Sequence, residues 1–233
     1  MNPPHAALDH LVVAAPTLAQ GVAWCEQALG LTPGPGGRHA LYGTHNRLLR
    51  LDSHTPQDPP AYLEIIAIDP EATPTRAAPA RRWFDLDDPG LRQRLADQGP
   101  QLVHWVARVP DLDAALRGWT ALGLERGSAL GASRPTPEGL LQWRISVRED
   151  GQRLMDGCLP TLIEWGDTHP ARQMPHSGLR LRGLHLRHPE GERLRAALSL
   201  LGLQGVVTDT GPARLAADLH GPAGACPLVS LPD

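Results

Sequence analysis

The fold of this chain is decided by residues 8–31, which read LDHLVVAAPTLAQGVAWCEQALGL. The first part of this stretch has the two-residue period of a β-strand. The predicted strand face consists of Leu8, His10, Val12 and Ala14. Pro16 ends the strand, and Thr17 is a residue type that caps a helix by accepting a backbone N–H. Apolar side chains then recur at helical spacing up to Gly30, which favours a left-handed exit from the helix.

This strand–helix pattern occurs three times in the chain. The second copy, residues 102–124, reads LVHWVARVPDLDAALRGWTALGL, and the third copy, residues 181–203, reads LRGLHLRHPEGERLRAALSLLGL. His10 and His104 both stand six residues before the proline of their copy, whereas Gly183 takes that place in the third copy. Because each copy is a whole supersecondary unit, the repeat indicates duplicated units rather than the short turns of a solenoid.

Each copy is followed by further strand candidates, so the repeating unit is predicted to be β-α-β-β-β. The chain is therefore predicted to be an α+β protein. Two main units would form a cupped mixed sheet, and a shorter third unit would follow them. The predicted bounds are 8–68 for the first unit, 69–100 for a linker, 101–166 for the second unit and 180–231 for the third.

The composition narrows the classes of function. The 233 residues carry a net charge of −3, which gives no reason to expect a nucleic acid or a membrane as a partner. All 22 basic residues are arginines, which excludes Schiff-base chemistry on a lysine. The chain shows no signal peptide and no apolar span of about 20 residues. The three cysteines form no Cys-x-x-Cys motif and indicate reduced thiols, so the protein is predicted to be cytoplasmic.

Two pairs of residues are candidates for a metal site. His10 and Glu64 lie on the first and last strands of the first unit, and His104 and Glu164 are assigned to the same places in the second. First and last strands of such a unit can lie side by side, about 4.8 Å apart, so that a His and a Glu on one face reach a common ion. A carboxylate on an otherwise apolar face also needs a partner. The alternative is that each is an ordinary hydrogen-bonded or solvated residue.

A polar cluster on a predicted hairpin of the first unit is a candidate for substrate binding. Its members are Arg38, His39, Thr44, His45 and Asn46. These side chains could line the cup and orient a polar substrate. The alternative is an ordinary polar hairpin.

Two further features have a competing structural explanation that the sequence favours. Asp167 and His169 could replace one metal ligand, but a structured loop also accounts for them. Arg81, Arg82 and Trp83 could clamp an anionic substrate, but a solvated linker anchored by the tryptophan also accounts for this run.

The chain resembles a known superfamily. The repeat order, the LDHLVVA opening, the ALGL helix end and the YLEIIAIDP strand resemble the vicinal oxygen chelate superfamily. Within it, the segments GGRHALYGTHNRLL and LPTLIEWGDTHPA are similar to bacterial glyoxalase-like domain proteins. The likeness covers nearly the whole chain. It implies a cupped sheet around a divalent ion such as Zn, Ni, Mn or Fe. By position, the implied ligands are His10, Glu64, His104 and Glu164.

The resemblance also implies an activity. It suggests a metal-dependent lyase, isomerase or dioxygenase acting on a small oxygen-rich metabolite whose adjacent oxygens bind the metal. Glu64 or Glu164 would then shuttle a proton. The alternative is a metal-free protein of the bleomycin-resistance type that binds or sequesters a small molecule. The third unit must cover its apolar face either within the chain or in a homodimer, and the odd number of units favours the homodimer.

Overall fold

The computed structural model describes residues 6–53, 55, 59–77, 79–136 and 139–230. These residues form twelve strands and four α-helices. In chain order the elements are β1 (Ala7–Ala14), α1 (Leu18–Leu29), β2 (Arg38–His39), β3 (Thr44–Leu51), β4 (Ala61–Ile68), α2 (Pro89–Gln98), β5 (Gln101–Arg108), α3 (Leu112–Ala121), β6 (Ser128–Thr136), β7 (Gly139–Val147), β8 (Thr161–Trp165), β9 (Arg180–His188), α4 (Gly191–Leu200), β10 (Val206–Thr210), β11 (Arg214–Gly221) and β12 (Gly224–Val229).

The first eight strands form one continuous mixed sheet in the order β2-β3-β4-β1-β5-β8-β7-β6. In each of the first two units the first strand pairs in parallel with the last strand, as β1 with β4 and as β5 with β8. The central pair, β1 and β5, is antiparallel and joins the two units. The predicted α+β fold with a mixed sheet of repeated β-α-β-β-β units is confirmed.

The signals at the ends of the first helix act as expected. The Thr17 side chain accepts a hydrogen bond from the backbone N–H of Gln20 at 3.2 Å. Gly30 follows the helix with a φ of 68°, where a side chain would be strained. In the second unit, Asp111 takes the place of the threonine and accepts from the N–H of Ala114 at 2.8 Å. Each cap thereby fixes the start of its helix just after its own strand, and because β1 and β5 are antiparallel the two helices begin at opposite edges of the sheet.

Alternating side chains give the eight-stranded sheet two different faces. The inner face is the one that carries His10, Val12, Glu64 and Ile66. The outer face is the one that carries Leu11, Val13, Leu63 and Ile65, and α1 and α3 pack on it. The outer face is apolar and belongs to the main hydrophobic core. The polar side chains of β1 and β4 are therefore confined to the inner face, where a site can form.

The third unit repeats the order of elements but not the order of strands. Its four-stranded sheet runs β10-β9-β11-β12, so the first strand of the unit lies between the second and the third. In the first two units the first strand lies beside the last strand instead. The third unit therefore lacks the pairing that brings His10 and Glu64 together in the first unit.

The third sheet packs against the outer face of the eight-stranded sheet in the same chain. Leu186 and Ala217 belong to the same buried cluster as Trp105 of β5. The indole N–H of Trp119 in α3 donates to the backbone carbonyl of Ala197 in α4 at 2.9 Å. The apolar face that motivated the expectation of a homodimer is therefore covered within the chain.

Three further observations concern the thiols, the length of the helices and the last residue of the predicted third unit. Cys25, Cys158 and Cys226 are free thiols. Within the described residues, no helix is long and apolar enough to cross a membrane. Leu231, the last residue of the predicted third unit, lies outside the described residues.

Candidate functional site

A β-bulge at Asp9 creates the central polar cluster of the inner face. The pairing of β1 with β5 shifts between Leu8 and His10, so Asp9 is an extra residue in β1. Such a residue breaks the alternation of side chains between the two faces. Asp9 and His10 therefore meet, and Nδ1 of His10 donates to Oδ1 of Asp9 at 2.7 Å. Leu8, which was predicted on the face of His10, packs instead against the outer-face core.

The Asp9 carboxylate is fully buried and accepts from three side chains. Besides His10, the indole N–H of Trp165 donates to its Oδ2 at 2.7 Å and Nε2 of His169 donates at 3.0 Å. Burial alone would raise the pKa of Asp9, but the hydrogen bonds from His10 and His169 outweigh it and hold the pKa well below its usual range. Asp9 is therefore an anion that ties both units together. The alternation of residues gave no signal for it.

His10 and Glu64 form a close pair on the inner face. Nε2 of His10 lies 3.7 Å from Oε2 of Glu64, and the two residues are only 4 and 5% exposed. Because Nδ1 of His10 donates to Asp9, the neutral ring carries its lone pair on Nε2. Tyr62 stacks on the imidazole with the ring centroids 4.5 Å apart. The pair is thus fixed in orientation and shielded from bulk water.

Asn46 and His39 hold Glu64 from the other side. The Asn46 side chain accepts from the backbone N–H of Gly37 at 2.7 Å, which fixes its amide so that Nδ2 donates to Oε1 of Glu64. The same Nδ2 lies 3.4 Å from Nε2 of His39, whose Nδ1 contacts the Thr44 hydroxyl at 3.0 Å. Burial lowers the pKa of His39 to about 4, so the ring is neutral at pH 7. Oε2 of Glu64 is left to face His10.

The other two residues of the predicted substrate cluster do not join it. Arg38 is exposed and pairs with Glu71 at 2.8 Å and with Asp69 at 3.4 Å. His45 lies near Asp69, on the opposite side of β3 from Asn46. The strand period explains the division, because Thr44 and Asn46 share one face of β3 and the residue between them points away.

His104 lies on the inner face but has both ring nitrogens occupied. Its Nδ1 donates to the backbone carbonyl of Gly157 at 3.2 Å, and its Nε2 accepts from the backbone N–H of Thr161 at 3.0 Å. Arg126 also approaches Nε2 at 3.2 Å. Burial, reinforced by the charges of Arg126 and Arg153, lowers the pKa of His104 well below its usual range. The ring is a neutral structural residue with no lone pair left for an ion.

The structure corrects the placement of Glu164. Val12 pairs with Glu64, whereas Val106, at the same distance from its proline in the second unit, pairs with Thr161. Thr161 therefore occupies the place of Glu64, and Glu164 lies three residues further along the strand. An odd shift moves a side chain to the other face. On the outer face, Oε2 of Glu164 accepts from the N–H of Leu112 at 2.7 Å and caps α3.

The His10–Glu64 pair opens onto a small cavity of about 60 Å³ between the two units. Its polar lining consists of His10, His39, Asn46, Glu64 and Arg134, and its aromatic walls are Tyr62, Trp83, Phe84, Trp143 and Trp165. Of these, Arg134 is a further polar residue that the sequence reading missed. It lies on β6, at the far edge of the second unit, and only the curvature of the sheet brings it to the first.

A larger cleft of about 750 Å³ lies elsewhere, between the N-terminus of α1 and helix α2. It includes His45 and Arg92 but shares no lining residue with the small cavity. Its walls are mostly apolar, and the Asp9–His10–Glu64 cluster lies outside it. The buried His10–Glu64 pair lines the smaller cavity, which is therefore the candidate site.

The remaining candidates are placed as follows. Arg82 pairs with Asp87 at 2.6 Å, and Trp83 forms part of the cavity wall. His169 binds Asp9, as described above, whereas Asp167 is exposed. The tryptophan and the histidine are thus part of the site, and their charged neighbours in the sequence are not.

Comparison with known proteins identifies the family. A model of the family described as glyoxalase-like domain matches residues 8–202. The chain belongs to the glyoxalase-like domain family. The resemblance to the vicinal oxygen chelate superfamily is therefore confirmed. A comparison with curated protein sequences found no match.

Solved structures with the glyoxalase-like fold include one similar over nearly the whole length. A hypothetical protein from Staphylococcus aureus is 14% identical with a TM-score of 0.56, and the alignment covers 96% of this chain and 85% of that one. Methylmalonyl-CoA epimerase from Streptomyces coelicolor is 18% identical with a TM-score of 0.42, covering 71% of this chain and 99% of that one. At these identities the first likeness shows the fold alone, and the second carries no argument about function.

The divalent metal expected from the superfamily does not fit the residues present in this glyoxalase-like protein. Of the four predicted ligands, His10 and Glu64 face the cavity, whereas His104 has no free lone pair and Glu164 lies on the outer face. Within the described residues, no group of three or more His, Cys, Asp or Glu side chains is arranged to hold an ion. A catalytic zinc site usually needs three protein ligands. Of the four predicted ligands, only His10 and Glu64 remain at the cavity.

Proposed function

We propose that this glyoxalase-like protein is an enzyme that moves a proton at a carbon next to a carbonyl group of a small substrate. The observation that supports this proposal is the Asp9–His10–Glu64 arrangement, which opens onto an aromatic cavity. A fixed acid and a fixed base side by side at one cavity are the elements of general acid–base catalysis. This proposal replaces the expected metal-dependent mechanism with one that uses the side chains alone.

The two groups have different roles in the proposed step. Oε2 of Glu64 takes the proton from the carbon, and the electron pair of the C–H bond becomes the double bond of an enol. Nε2 of His10, in its protonated form, gives its proton to the carbonyl oxygen. Asp9 stabilises the positive ring through Nδ1. Return of a proton to carbon completes an isomerisation, whereas loss of a leaving group from the enol gives a lyase reaction.

The surroundings support this division of roles. Asn46 donates to Oε1 of Glu64, which leaves Oε2 as the oxygen that faces His10. Tyr62 covers the His10 ring, and its pKa is raised well above the usual value, mainly by burial, so its hydroxyl stays neutral. His10 and Glu64 are buried, and electrostatic interactions between buried groups are stronger than in water.

A metal-free protein that only binds a small molecule is the second candidate. The observation that favours it is the number of aromatic side chains around the cavity: Tyr62, Trp83, Phe84, Trp143 and Trp165. Aromatic rings can hold a ligand without any reaction. The two candidates differ in whether Glu64 exchanges protons with the ligand.

Proton exchange tests the proposal without knowledge of the product. The purified protein is incubated in D2O with pyruvate, 2-oxobutyrate, hydroxyacetone and acetaldehyde, and loss of the C–H signals next to the carbonyl is followed by ¹H NMR. We expect catalysed exchange for at least one compound, and we expect Glu64→Gln to slow it by a factor of about 100 or more. Treatment with EDTA should leave the rate unchanged.

Glu164→Gln is the matched control, because it makes the same change on the outer face. It should retain exchange within about twofold of the wild-type rate. Absence of exchange for every compound, together with measurable binding of one of them, would favour the binding protein. Exchange that survives Glu64→Gln would overturn the assignment of the base.

A further inference from the structure

Arg134 is contributed to the cavity by the opposite unit. It lies on β6, the edge strand of the second unit, whereas His10 and Glu64 belong to the first. Its guanidinium group packs over Gly37, because a Cβ built on that glycine would lie only 2.0 Å from Nη1. The absence of a side chain at position 37 therefore makes room for the arginine at the cavity.

The Arg134 guanidinium has no counterion in the part of the chain that the structure describes. No hydrogen bond or ion pair joins it to a described residue, although other surface arginines such as Arg144 and Arg195 are paired. Its side chain is only partly exposed. A second donor in the lining is also unpaired, since the indole N–H of Trp83 is buried with no partner among the described residues. The half-buried guanidinium is therefore available to oxygen atoms of a ligand, whereas the indole N–H has almost no accessible surface.

The charges of the lining favour an anion at this end of the cavity. The Glu64 carboxylate has Asn46 and His10 beside it, so it needs no help from Arg134. His39 lies near Arg134, and its ring stays neutral, because burial and, to a lesser degree, the guanidinium charge lower its pKa. An unpaired, half-buried guanidinium beside neutral groups gains most from a ligand that carries a carboxylate, which it can bind with two parallel hydrogen bonds.

We propose that Arg134 binds the carboxylate of a short 2-oxo or 2-hydroxy acid and places the adjacent carbons next to His10 and Glu64, on the cavity side of the pair. The inference rests on the proposed function, because it names the substrate class of the same site. A cavity of about 60 Å³ has room for about four to six water molecules, which corresponds to an acid of three or four carbons. The aromatic walls cover the apolar end of such a molecule.

The test compares charged and uncharged ligands. Binding of pyruvate and of its uncharged analogue methyl pyruvate is measured by calorimetry or ligand-observed NMR for wild type, Arg134→Gln and the control Arg180→Gln. Arg180 is an exposed arginine on β9, in the third sheet. We expect Arg134→Gln to weaken pyruvate binding by a factor of about 10 to 100 and to leave methyl pyruvate within about twofold. Arg180→Gln should change neither.

Gly37→Ala provides a test that keeps the arginine. The added methyl group collides with Nη1 and must displace the flexible guanidinium. We expect it to weaken pyruvate binding in the wild-type background and to have no further effect when combined with Arg134→Gln. Independent, additive losses from the two substitutions would overturn the proposal, because they would mean that Gly37 acts otherwise than through Arg134.

The outcomes separate this inference from the proposed function. Pyruvate binding that depends on Arg134 without any proton exchange would support the carboxylate site and overturn the enzyme. Exchange that depends on Glu64 but is equal in wild type and Arg134→Gln would support the enzyme and overturn the carboxylate site. The carboxylate site would also be overturned if pyruvate, 2-oxobutyrate and lactate all failed to bind the wild-type protein at concentrations on the order of 10 mM.

Discussion

Asp9 and His10 are neighbours in the sequence and hydrogen-bond partners in the structure, with Oδ1 and Nδ1 2.7 Å apart. Adjacent residues of a regular strand cannot meet in this way, because their side chains point to opposite faces. The bulge in β1 removes that restriction and gives His10 a fixed orientation. The same carboxylate reaches Trp165 and His169 of the second half, so one buried anion organises the site and fastens the two units together.

Replacement of Asp9 should cost both stability and activity. In Asp9→Asn, an NH2 group replaces one of the two oxygens that accept from His10, Trp165 and His169. The buried amide N–H groups then face the N–H groups of these side chains, with no acceptor between them. We expect a loss of about 3 kcal/mol in the free energy of unfolding, measured by urea denaturation. The matched control is Asp218→Asn, since Asp218 pairs with His185 on the surface and should cost less than about 0.5 kcal/mol. Equal losses in both variants would contradict the role of Asp9.

The stability of the protein should fall in acid over two windows. His39 has a usual pKa of 6.5 and a folded-state pKa of about 4, lowered mainly by burial. Between these values the unfolded chain binds a proton that the folded chain does not, so stability falls as the pH drops and levels off below about 4. Asp9, whose folded pKa is held below its usual range, adds a further loss below about pH 4.

Urea midpoints measured from pH 7 to pH 3 check this expectation. His39→Gln should flatten the upper window and leave the lower one in place. His104 contributes to the upper window with the same sign, because its pKa is also lowered, so a reduced slope is expected to remain. A urea midpoint that increases as the pH is lowered from 6.5 to 4 would contradict the assignment of neutral buried imidazoles.

Glu164 and His104 should behave as structural residues. Glu164→Gln weakens the acceptor at the start of α3 and should cost about 1 kcal/mol. His104→Gln disturbs the contacts with Gly157 and Thr161 and should cost about 2–3 kcal/mol. Zinc bound after incubation and dialysis, measured by elemental analysis, should be the same in Glu164→Gln as in wild type. A shared fall in bound zinc for Glu64→Gln and Glu164→Gln would instead support the four-ligand site.

The contact between α3 and α4 should couple the third sheet to the first. Trp119→Phe removes the N–H that donates to the buried carbonyl of Ala197 and should lower the free energy of unfolding by about 1–2 kcal/mol.

Because the third sheet is covered within the chain, we expect a monomer by light scattering at tens of micromolar. A stable dimer under these conditions would show that a different surface associates.

The candidate site could be predicted from the sequence only in part. His10 and Glu64 were found because they stand on the first and last strands of a unit, which pair in the first two units. His39, Thr44 and Asn46 were found because one hairpin carries them. Glu164 was misplaced by three residues, since the repeats differ in the length of their connections and a strand has no internal mark of register. Asp9 was missed because its bulge arises from the pairing of β1 with β5, which no local pattern encodes.

What the sequence determined by itself is the local and repeated part of the structure. The proline that ends the first strand, the Thr17 and Asp111 caps and the apolar periods act between residues close in the chain, so they specify the β-α-β-β-β units and the family. Only the tertiary structure decided what faces the cavity. Arg134 reaches Gly37 across the cavity between the two units, and the third sheet covers the outer face, through contacts between residues distant in sequence. Such contacts depend on register, twist and packing of the whole chain, which are properties of no single segment.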